Sequence, residues 1–279
     1  MKKYYLIVFV ILIIVATGCE EENGDSGVDT TKPYVGGTKG LEMSFMEGMP
    51  PEYVFDNGGY EFGIAVEVDN VGEHDVEPED ATIEIIGINP QDFNLGGQGD
   101  LVKNLNTRLT GTKKNFEGST IDGGKDVVEF SGLNYIEDIH GNNGVKIRAE
   151  LCYKYKTYTS TKLCVKNKVL ENVMEKKICE ITGEKNPVNS GGPVHITSLK
   201  ENPMGQEKVQ ITFVIENVKS VPGVIFSKDA QSCDDSINNP DLHKVWVNVK
   251  TEINGAGAEC NGLNEGSGSS QGYVTLYNG

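Results

Sequence analysis

Alternation of apolar and polar residues dominates the chain from about residue 40 onward. The segment YEFGIAVEVDNVG places Phe62, Ile64, Val66 and Val68 on one side of an extended chain, with acidic or small residues on the other. A period of two is typical of a half-buried strand in an antiparallel sheet. The segments ATIEIIGI, DVVEFSGL and VKIRAELCYKY are further predicted strands, separated by clusters of Gly, Asn, Asp and Pro.

Many short strands, without a convincing amphipathic helix, predict an all-β protein. The strand spacing favours two antiparallel immunoglobulin-like β-sandwich domains in tandem. We expect domain 1 at residues 38–180 and domain 2 at residues 190–279.

The start of domain 2 resembles the start of domain 1. Residues 41–51 (LEMSFMEGMPP) correspond to residues 194–204 (VHITSLKENPM), and residues 61–71 (EFGIAVEVDNV) correspond to residues 208–218 (KVQITFVIENV). The second segment of each pair has four alternating apolar residues and ends in an acid, an Asn and a Val. This correspondence indicates two related domains. Chance similarity between short strand patterns is the alternative.

Domain 2 is short for its predicted class. It contains about five predicted strands, whereas a sandwich of this kind has about seven. We expect it either to be incomplete or to have an open edge strand that a strand of another chain could complete.

The first residues of the chain predict export. Two lysines precede an unbroken apolar run of 13 residues from Tyr4 to Ala16. A helix that spans a bilayer needs ~20 residues, so this run fits the core of a signal peptide at residues 1–18. The segment ATGC, followed by acidic residues, resembles a lipoprotein lipobox. The resemblance implies cleavage after Gly18 and a lipid on Cys19. An uncleaved anchor and a simple secretory signal are the alternatives.

Acidic residues continue after this segment and throughout the chain. Residues 19–37 are acidic and rich in Gly, which predicts a disordered tether between the membrane and the domains. The chain has 41 Asp and Glu residues against 25 Lys and Arg residues, and a net charge of −16. Such a chain repels phosphate backbones, so nucleic acid is not an expected partner. The expected partners are the membrane, through the N-terminal lipid, and a surface protein or polysaccharide.

Six cysteines are present, and a lipid on Cys19 leaves five. Exported proteins retain disulfides, so two bridges and one remaining thiol are expected. Within ELCYKYKTYTSTKLCVKN, a hairpin that pairs Cys152 with Cys164 also gathers the apolar residues on one face, and we expect this bridge. The same register sets Lys154 opposite Lys162, and its turn lacks Gly.

The second expected bridge joins Cys233 to Cys260 within domain 2 and leaves Cys179 without a partner. The alternative pairs Cys164 with Cys179 and leaves Cys152. Zinc is a weaker hypothesis, because the sequence has no CxxC motif and no Cys and His cluster at short spacing.

No motif predicts a catalytic residue, a metal centre or a cofactor once its context is considered. GSSQG surrounds Ser270 as in a nucleophile elbow, but a strand follows it instead of a helix, and no His occurs later in the chain. The loop DFNLGGQGD offers Asp92, Asn94 and Asp100 as oxygen ligands for calcium. This calcium hypothesis is weak, because the EF-hand spacing is absent; an acidic solvated loop is the alternative.

Several longer segments resemble an archaeal type of exported lipoprotein. They are residues 36–77, INPQDF (88–93), the cysteine segments within 152–165 and GGPVHITSL (191–199). A strand that ends in Asn70, with Gly72 two residues later, also resembles adhesion-type immunoglobulin-like modules. These resemblances imply a surface-exposed β-sandwich protein and carry no catalytic residue.

The sequence therefore predicts a non-catalytic protein on the outer face of a membrane, anchored by lipidated Cys19, that acts as a binding or structural envelope module. The alternative is an extracellular enzyme, or a carbohydrate- or calcium-binding protein, that acts on envelope polysaccharide. An enzyme of that kind requires a concave site with convergent carboxylates.

Overall fold

The computed structural model describes residues 32–165, 179–205, 208–218, 223–253, 257–264 and 268–277. The predicted signal peptide, Cys19 and residues 19–31 of the predicted tether lie outside these ranges. Export and lipidation of Cys19 therefore stay predictions.

The described residues form an all-β structure, as predicted, and contain no α-helix. The strands are β1 (Leu41–Phe45), β2 (Phe62–Asn70), β3 (Ala81–Ile86), β4 (Val102–Asn104), β5 (Lys113–Lys114), β6 (Thr120–Ile121), β7 (Lys125–Leu133), β8 (Arg148–Tyr153), β9 (Thr159–Ser160), β10 (Gly183–Lys185), β11 (Val188–Asn189), β12 (Val194–Pro203), β13 (Val209–Asn217), β14 (Lys244–Asn248) and β15 (Gln271–Thr275). Three short 3-10 helices lie at Pro78–Asp80, Pro90–Phe93 and Gln98–Leu101. None of the helical segments in these ranges has the length and hydropathy needed to cross a bilayer.

The short antiparallel pair β5-β6 and two three-stranded antiparallel sheets build the N-terminal part of the molecule. One has the strand order β1-β2-β7, and the other has the order β4-β3-β8. The predicted inner side of β2 is buried, since Ile64, Val66 and Val68 are inaccessible to solvent, but Ala65 on the other side is buried as well. Alternate residues of β3 are buried in the same way, since Ile83 and Ile85 are also inaccessible to solvent.

Side chains from both sheets and their connections form one apolar cluster. Its buried members are Leu41, Ile64, Val66, Val68, Val76, Ala81, Ile83, Ile85, Phe93, Leu101, Leu105, Leu109, Val128, Phe130 and Leu133. Partly buried residues as far along the chain as Tyr155 pack against it. Burial of this apolar surface is the dominant favourable contribution to folding of the N-terminal part.

The C-terminal part has smaller sheets and little buried apolar surface. Its sheets are β10-β12-β13, β9-β11 and β14-β15. Among the apolar residues described after residue 165, only Leu199, Leu263 and Leu276 are buried. The predicted division into two sandwich domains stays a prediction.

The predicted internal repeat corresponds to two strand pairs that start in the same register, and a bulge between Ile196 and Ser198 then shifts the register of the second pair. Leu41 pairs with Asn70 where β1 meets β2, and Val194 pairs with Asn217 where β12 meets β13. These four residues occupy matching positions in the two repeated segments. The two pairs differ in their surroundings, because β2 has β7 on its other side whereas β13 is the last strand of its sheet in the described part of the chain.

The predicted disulfide pairing was wrong, although disulfides are present. Cys152 is bonded to Cys233, and Cys164 is bonded to Cys179. Cys260 has a free thiol. Of the expected arrangements, the Cys164–Cys179 bridge matches only the alternative pairing.

The hairpin that suggested the first pairing does not form. Cys152 lies in β8, which pairs with β3 and sets Cys152 opposite Thr82. The chain then leaves the sheet, and β9 pairs with β11 instead of folding back on β8. Tyr155 lies between β8 and β9, and its hydroxyl is bonded to Asn70 and His74 of the N-terminal part. The local sequence around Cys152 and Cys164 contains no information on these contacts, which span 81 and 85 residues.

Candidate binding surface

An exposed apolar loop connects β1 to β2. Tyr53, Phe55 and Tyr60 are 78%, 63% and 68% exposed, and Met46 and Met49 also lie at the surface. We call these five residues the aromatic loop surface. Contiguous exposed apolar residues of this kind mark interaction sites more often than isolated ones do.

The loop is held in place by a second loop that follows β7. The backbone N–H of Asn57 donates to the carbonyl of Glu137 (3.0 Å), and the N–H of Gly58 donates to the carbonyl of Tyr135 (2.9 Å). The N–H of Ile139 donates to Oδ2 of Asp56 (3.1 Å). These bonds fix the backbone beneath the exposed side chains, so the surface would lose little conformational entropy when a partner binds.

Two of the exposed rings contact each other. The ring centroids of Phe55 and Tyr60 are 5.1 Å apart, with a tilt of 55° between the planes. Full burial of an aromatic side chain removes roughly 150–250 Å² of its surface from water. At their observed exposures, these two rings and Tyr53 therefore present roughly 400 Å² of exposed surface. A standard protein interface buries ~800 Å² on each partner, so the rings alone would supply about half of one side.

The segments that form and support the aromatic loop surface contain carboxylates and no Lys or Arg. Between Lys39 and Lys103 the sequence contains neither Lys nor Arg. Glu47, Glu52 and Glu61 belong to the loop itself, and the supporting segment 134–139 adds two acids and no basic residue. The surface therefore combines apolar rings with negative charge.

The aromatic loop surface lies at the opposite end of β2 from the N-terminal segment. β2 runs from Phe62, directly after the loop, to Asn70, and its nine residues span roughly 30 Å at ~3.3 Å per residue. The N-terminal segment 35–37 is held beyond the far end of β2, by Glu73.

Glu73 joins three parts of the chain. Its carboxylate accepts hydrogen bonds from the backbone N–H groups of Val35 (2.9 Å), Gly36 (2.9 Å) and Gly191 (2.6 Å). The backbone N–H of Glu73 also donates to the carbonyl of Gly191 (3.1 Å). Residues 35–37, which the sequence assigned to the tether, are therefore attached to the folded body.

A partly buried tyrosine, Tyr155, supports this junction. The hydroxyl of Tyr155 donates to Oδ1 of Asn70 (3.1 Å) and accepts from the backbone N–H of His74 (3.1 Å). Burial raises the pKa of Tyr155 far above its usual value. Burial also lowers the pKa of His74, and the nearby charge of Lys156 lowers it further. Both side chains are therefore neutral at pH 7 and act in packing and hydrogen bonding.

Gly72 is required next to this tyrosine. A Cβ atom at Gly72 would lie 2.1 Å from the hydroxyl oxygen of Tyr155 and 2.6 Å from the carbonyl oxygen of Lys39. The Asn70 and Gly72 pattern noted in the sequence therefore has a structural role, since Asn70 binds the tyrosine and Gly72 leaves space for it.

The predicted calcium loop has local hydrogen bonds of its own. Oδ1 of Asp92 accepts from Nδ2 of Asn89 (2.7 Å), and Oδ2 of Asp100 accepts from the N–H of Gly96 (2.7 Å). Asn94 adopts a left-handed conformation after a 3-10 helix. Among the residues that the structure describes, no group of three or more His, Cys, Asp and Glu is placed to hold a metal ion. The calcium hypothesis stays a prediction.

Ser270 does not lie in a nucleophile elbow. It precedes β15, and its carbonyl accepts from the N–H of Val249 (2.8 Å). Trp246 packs against Tyr273, which it faces across β14 and β15 with ring centroids 4.9 Å apart.

Sequence analysis did not identify the aromatic loop surface. Its signal is the segment MEGMPPEYVFDNGGY, in which two Met residues precede a turn-forming Pro-Pro pair and aromatic residues lie on both sides of a Gly-Gly pair. Apolar residues in such a segment have no strand period that would bury them.

Comparisons with protein-family models, with curated proteins and with solved structures found no match to this chain.

Proposed function

We propose that the protein is a membrane-anchored, non-catalytic binding module on the cell surface, and that the aromatic loop surface binds a protein partner. The proposal includes export, a lipid on Cys19 and tandem immunoglobulin-like sandwiches, as the sequence predicts. The observation that carries it is the exposure of Tyr53, Phe55 and Tyr60 on a loop whose backbone is fixed by hydrogen bonds.

The chemistry of the surface defines the partner. Exposed aromatic rings favour contact with apolar side chains, and they also attract cations to their faces. The carboxylates of Glu47, Glu52 and Glu61 favour lysine and arginine. The partner is therefore a protein segment that places basic residues beside apolar ones.

The position of the surface is compatible with this role. If Cys19 carries the lipid, the chain reaches the folded body at residues 35–37, and the aromatic loop surface lies roughly 30 Å away at the other end of β2. A partner outside the cell could then reach the loop without competition from the membrane.

A peptide-binding measurement tests the proposal. The probe is a short soluble peptide of alternating Lys and Leu, titrated against the full chain in a nonionic detergent and followed by fluorescence anisotropy. The Tyr53→Ser/Phe55→Ser variant should weaken binding at least about tenfold, because aromatic residues dominate interface energies. Phe116→Ser is the matched control, since Phe116 is 94% exposed and lies outside the loop.

The outcomes separate the candidate ligands. Equal binding by the parent and the loop variant would contradict the proposal. Loop-dependent binding of a neutral polysaccharide, without binding of the peptide, would favour the polysaccharide alternative. Intact-mass measurement of the parent and of Cys19→Ser tests the lipid anchor separately.

A further inference from the structure

β13 is an edge strand without the features that usually protect such strands. Its sequence is VQITFVIEN, and in the described part of the chain it pairs only with β12. Glu216 is its single charged residue, and the strand contains no Lys and no Pro. Natural proteins protect exposed edges with charges, prolines, bulges or covering segments, because an unpaired edge presents free N–H and C=O groups to other strands.

The internal repeat indicates that this edge normally has a neighbour. β13 corresponds to β2, since Asn217 and Asn70 hold the same place in the two strand pairs. β2 is a central strand, with β1 on one side and β7 on the other. The position next to β13 that would correspond to β7 is not filled by any strand among the described residues.

The side chains of β13 are also incompletely covered. Val209, Ile211 and Val214 are 36%, 37% and 44% exposed. β-branched residues at this exposure are typical of a strand that packs against further structure. β14 and β15 pair with each other, and no described strand pairs with the outer edge of β13.

We propose that two copies of this chain associate through antiparallel pairing of their β13 strands, centred on Phe213. The pairing joins the two sheets into one of six strands, β10-β12-β13 followed by its symmetry mate. This inference does not depend on the proposed function of the aromatic loop surface.

Strand geometry restricts the register. Alternate residues of β13 direct their backbone groups away from β12, so outward-facing residues must meet outward-facing residues of the second copy. Because outward-facing residues alternate along the strand, the residue numbers of any two facing residues must add up to an even number. Among such registers, only the one centred on Phe213 pairs all nine residues of the strand.

The side chains fit the same register. Ile211 faces Ile215 of the second copy, and the two Phe213 residues face each other, so these apolar residues share one face, while Val214 faces Thr212 on the other face. Glu216 faces Gln210, which keeps the two carboxylates of the dimer from meeting. A second copy therefore supplies a strand that is compatible in shape, polarity and charge.

The first test is the mass of the full chain in nonionic detergent. Light scattering measures it, with a correction for bound detergent. The parent should be a dimer at micromolar concentration. In Thr212→Lys/Val214→Lys, the two substituted positions face each other across the pair, so lysine would meet lysine and the dissociation constant should rise about tenfold or more. Thr212→Lys/Val214→Glu is the matched control, because the facing charges are then opposite and the dimer should be retained. A monomeric parent, or equal dissociation constants for the two variants, would overturn the proposal.

Cysteine crosslinking tests the register. The background carries Cys260→Ser, because Cys260 has a free thiol. Thr212 and Val214 face each other across the proposed pair, at a Cα separation of ~4.5–5.5 Å that permits a disulfide. A mixture of T212C and V214C chains should give a crosslinked dimer under mild oxidation, and neither chain alone should do so. A crosslink with either variant alone, or none in the mixture, would contradict pairing centred on Phe213.

Discussion

A buried ion pair in the C-terminal part gives a sharp test of how that part is stabilised. Glu201 in β12 is wholly buried, and Nζ of Lys185 in β10 lies 2.8 Å from its Oε2, with Lys185 only 12% exposed. The backbone N–H of Cys164 donates to the same oxygen (3.2 Å). The other oxygen, Oε1, has no hydrogen-bond partner among the residues that the structure describes. Lys185 is therefore the main compensation for the buried charge.

Lys185→Met keeps the length of the side chain and removes its charge. Removal of one partner from a buried ion pair costs about 3–5 kcal/mol, because it leaves an uncompensated charge. That is a large fraction of the ~5–15 kcal/mol that stabilises a typical protein. In the double variant Lys185→Met/Glu201→Met both charges are gone, so we expect it to be more stable than Lys185→Met alone.

Urea unfolding with the disulfides intact, followed by Trp246 fluorescence and far-UV circular dichroism, measures these effects. The midpoint for Lys185→Met should fall by about 1–2 M, given the usual dependence of stability on urea. Lys200→Met is the matched control, since Lys200 neighbours Glu201 but is exposed, and it should change stability by less than about 0.5 kcal/mol. A cost below about 1 kcal/mol for Lys185→Met, or a double variant less stable than the single one, would refute the reasoning.

Three further predictions concern the junction around Tyr155. Tyr155→Phe should cost about 1–3 kcal/mol in thermal or urea unfolding, because Asn70 and His74 each lose a hydrogen bond. Gly72→Ala should lower the melting temperature, since its Cβ would lie 2.1 Å from the Tyr155 hydroxyl; an unchanged value would contradict that contact. Burial lowers the pKa values of His74 and His195 in the folded state. The unfolded state therefore binds more protons than the folded state, so the urea midpoint should fall as the pH drops below about 6.5. His74→Gln/His195→Gln should show a shallower decline.

The strands were predictable because their signals are local. Alternation in β2 depends on which side chains lie on one face, and the burial of Ile64, Val66 and Val68 follows directly from it. The repeat was predictable for the same reason, since β1 with β2 and β12 with β13 carry the same alternation and the same terminal Asn.

The cysteine pairing was not predictable from local register. Cys152 and Cys233 are 81 residues apart, and their bridge depends on how the chain crosses from the N-terminal to the C-terminal part. That path depends on Tyr155, whose contacts with Asn70 and His74 span more than 80 residues. Hydrogen bonds over such distances leave no periodic signal in the sequence.

The aromatic loop surface was not predicted either, but for a different reason from the cysteine pairing. Its residues do not build the fold, so no strand period includes them, and only the structure shows that Tyr53 and Tyr60 are exposed while the backbone beneath them is fixed. Apolar residues in a loop of unknown placement are compatible with a buried position as well as an exposed one.

The two proposed interactions use surfaces of different chemistry, so one does not preclude the other. The aromatic loop surface is acidic and lies next to the start of β2, whereas β13 belongs to another sheet and has a single charged residue. Pairing through β13 also duplicates every other surface of the chain, so a dimer presents two aromatic loop surfaces. When partner sites are close enough for both loops to bind at once, the second contact becomes intramolecular, and overall affinity can rise by roughly 10²–10⁴ without any new contact. A loop of moderate affinity would then suffice for firm attachment, and loss of β13 pairing would weaken attachment to clustered partners while leaving the binding of a single peptide unchanged.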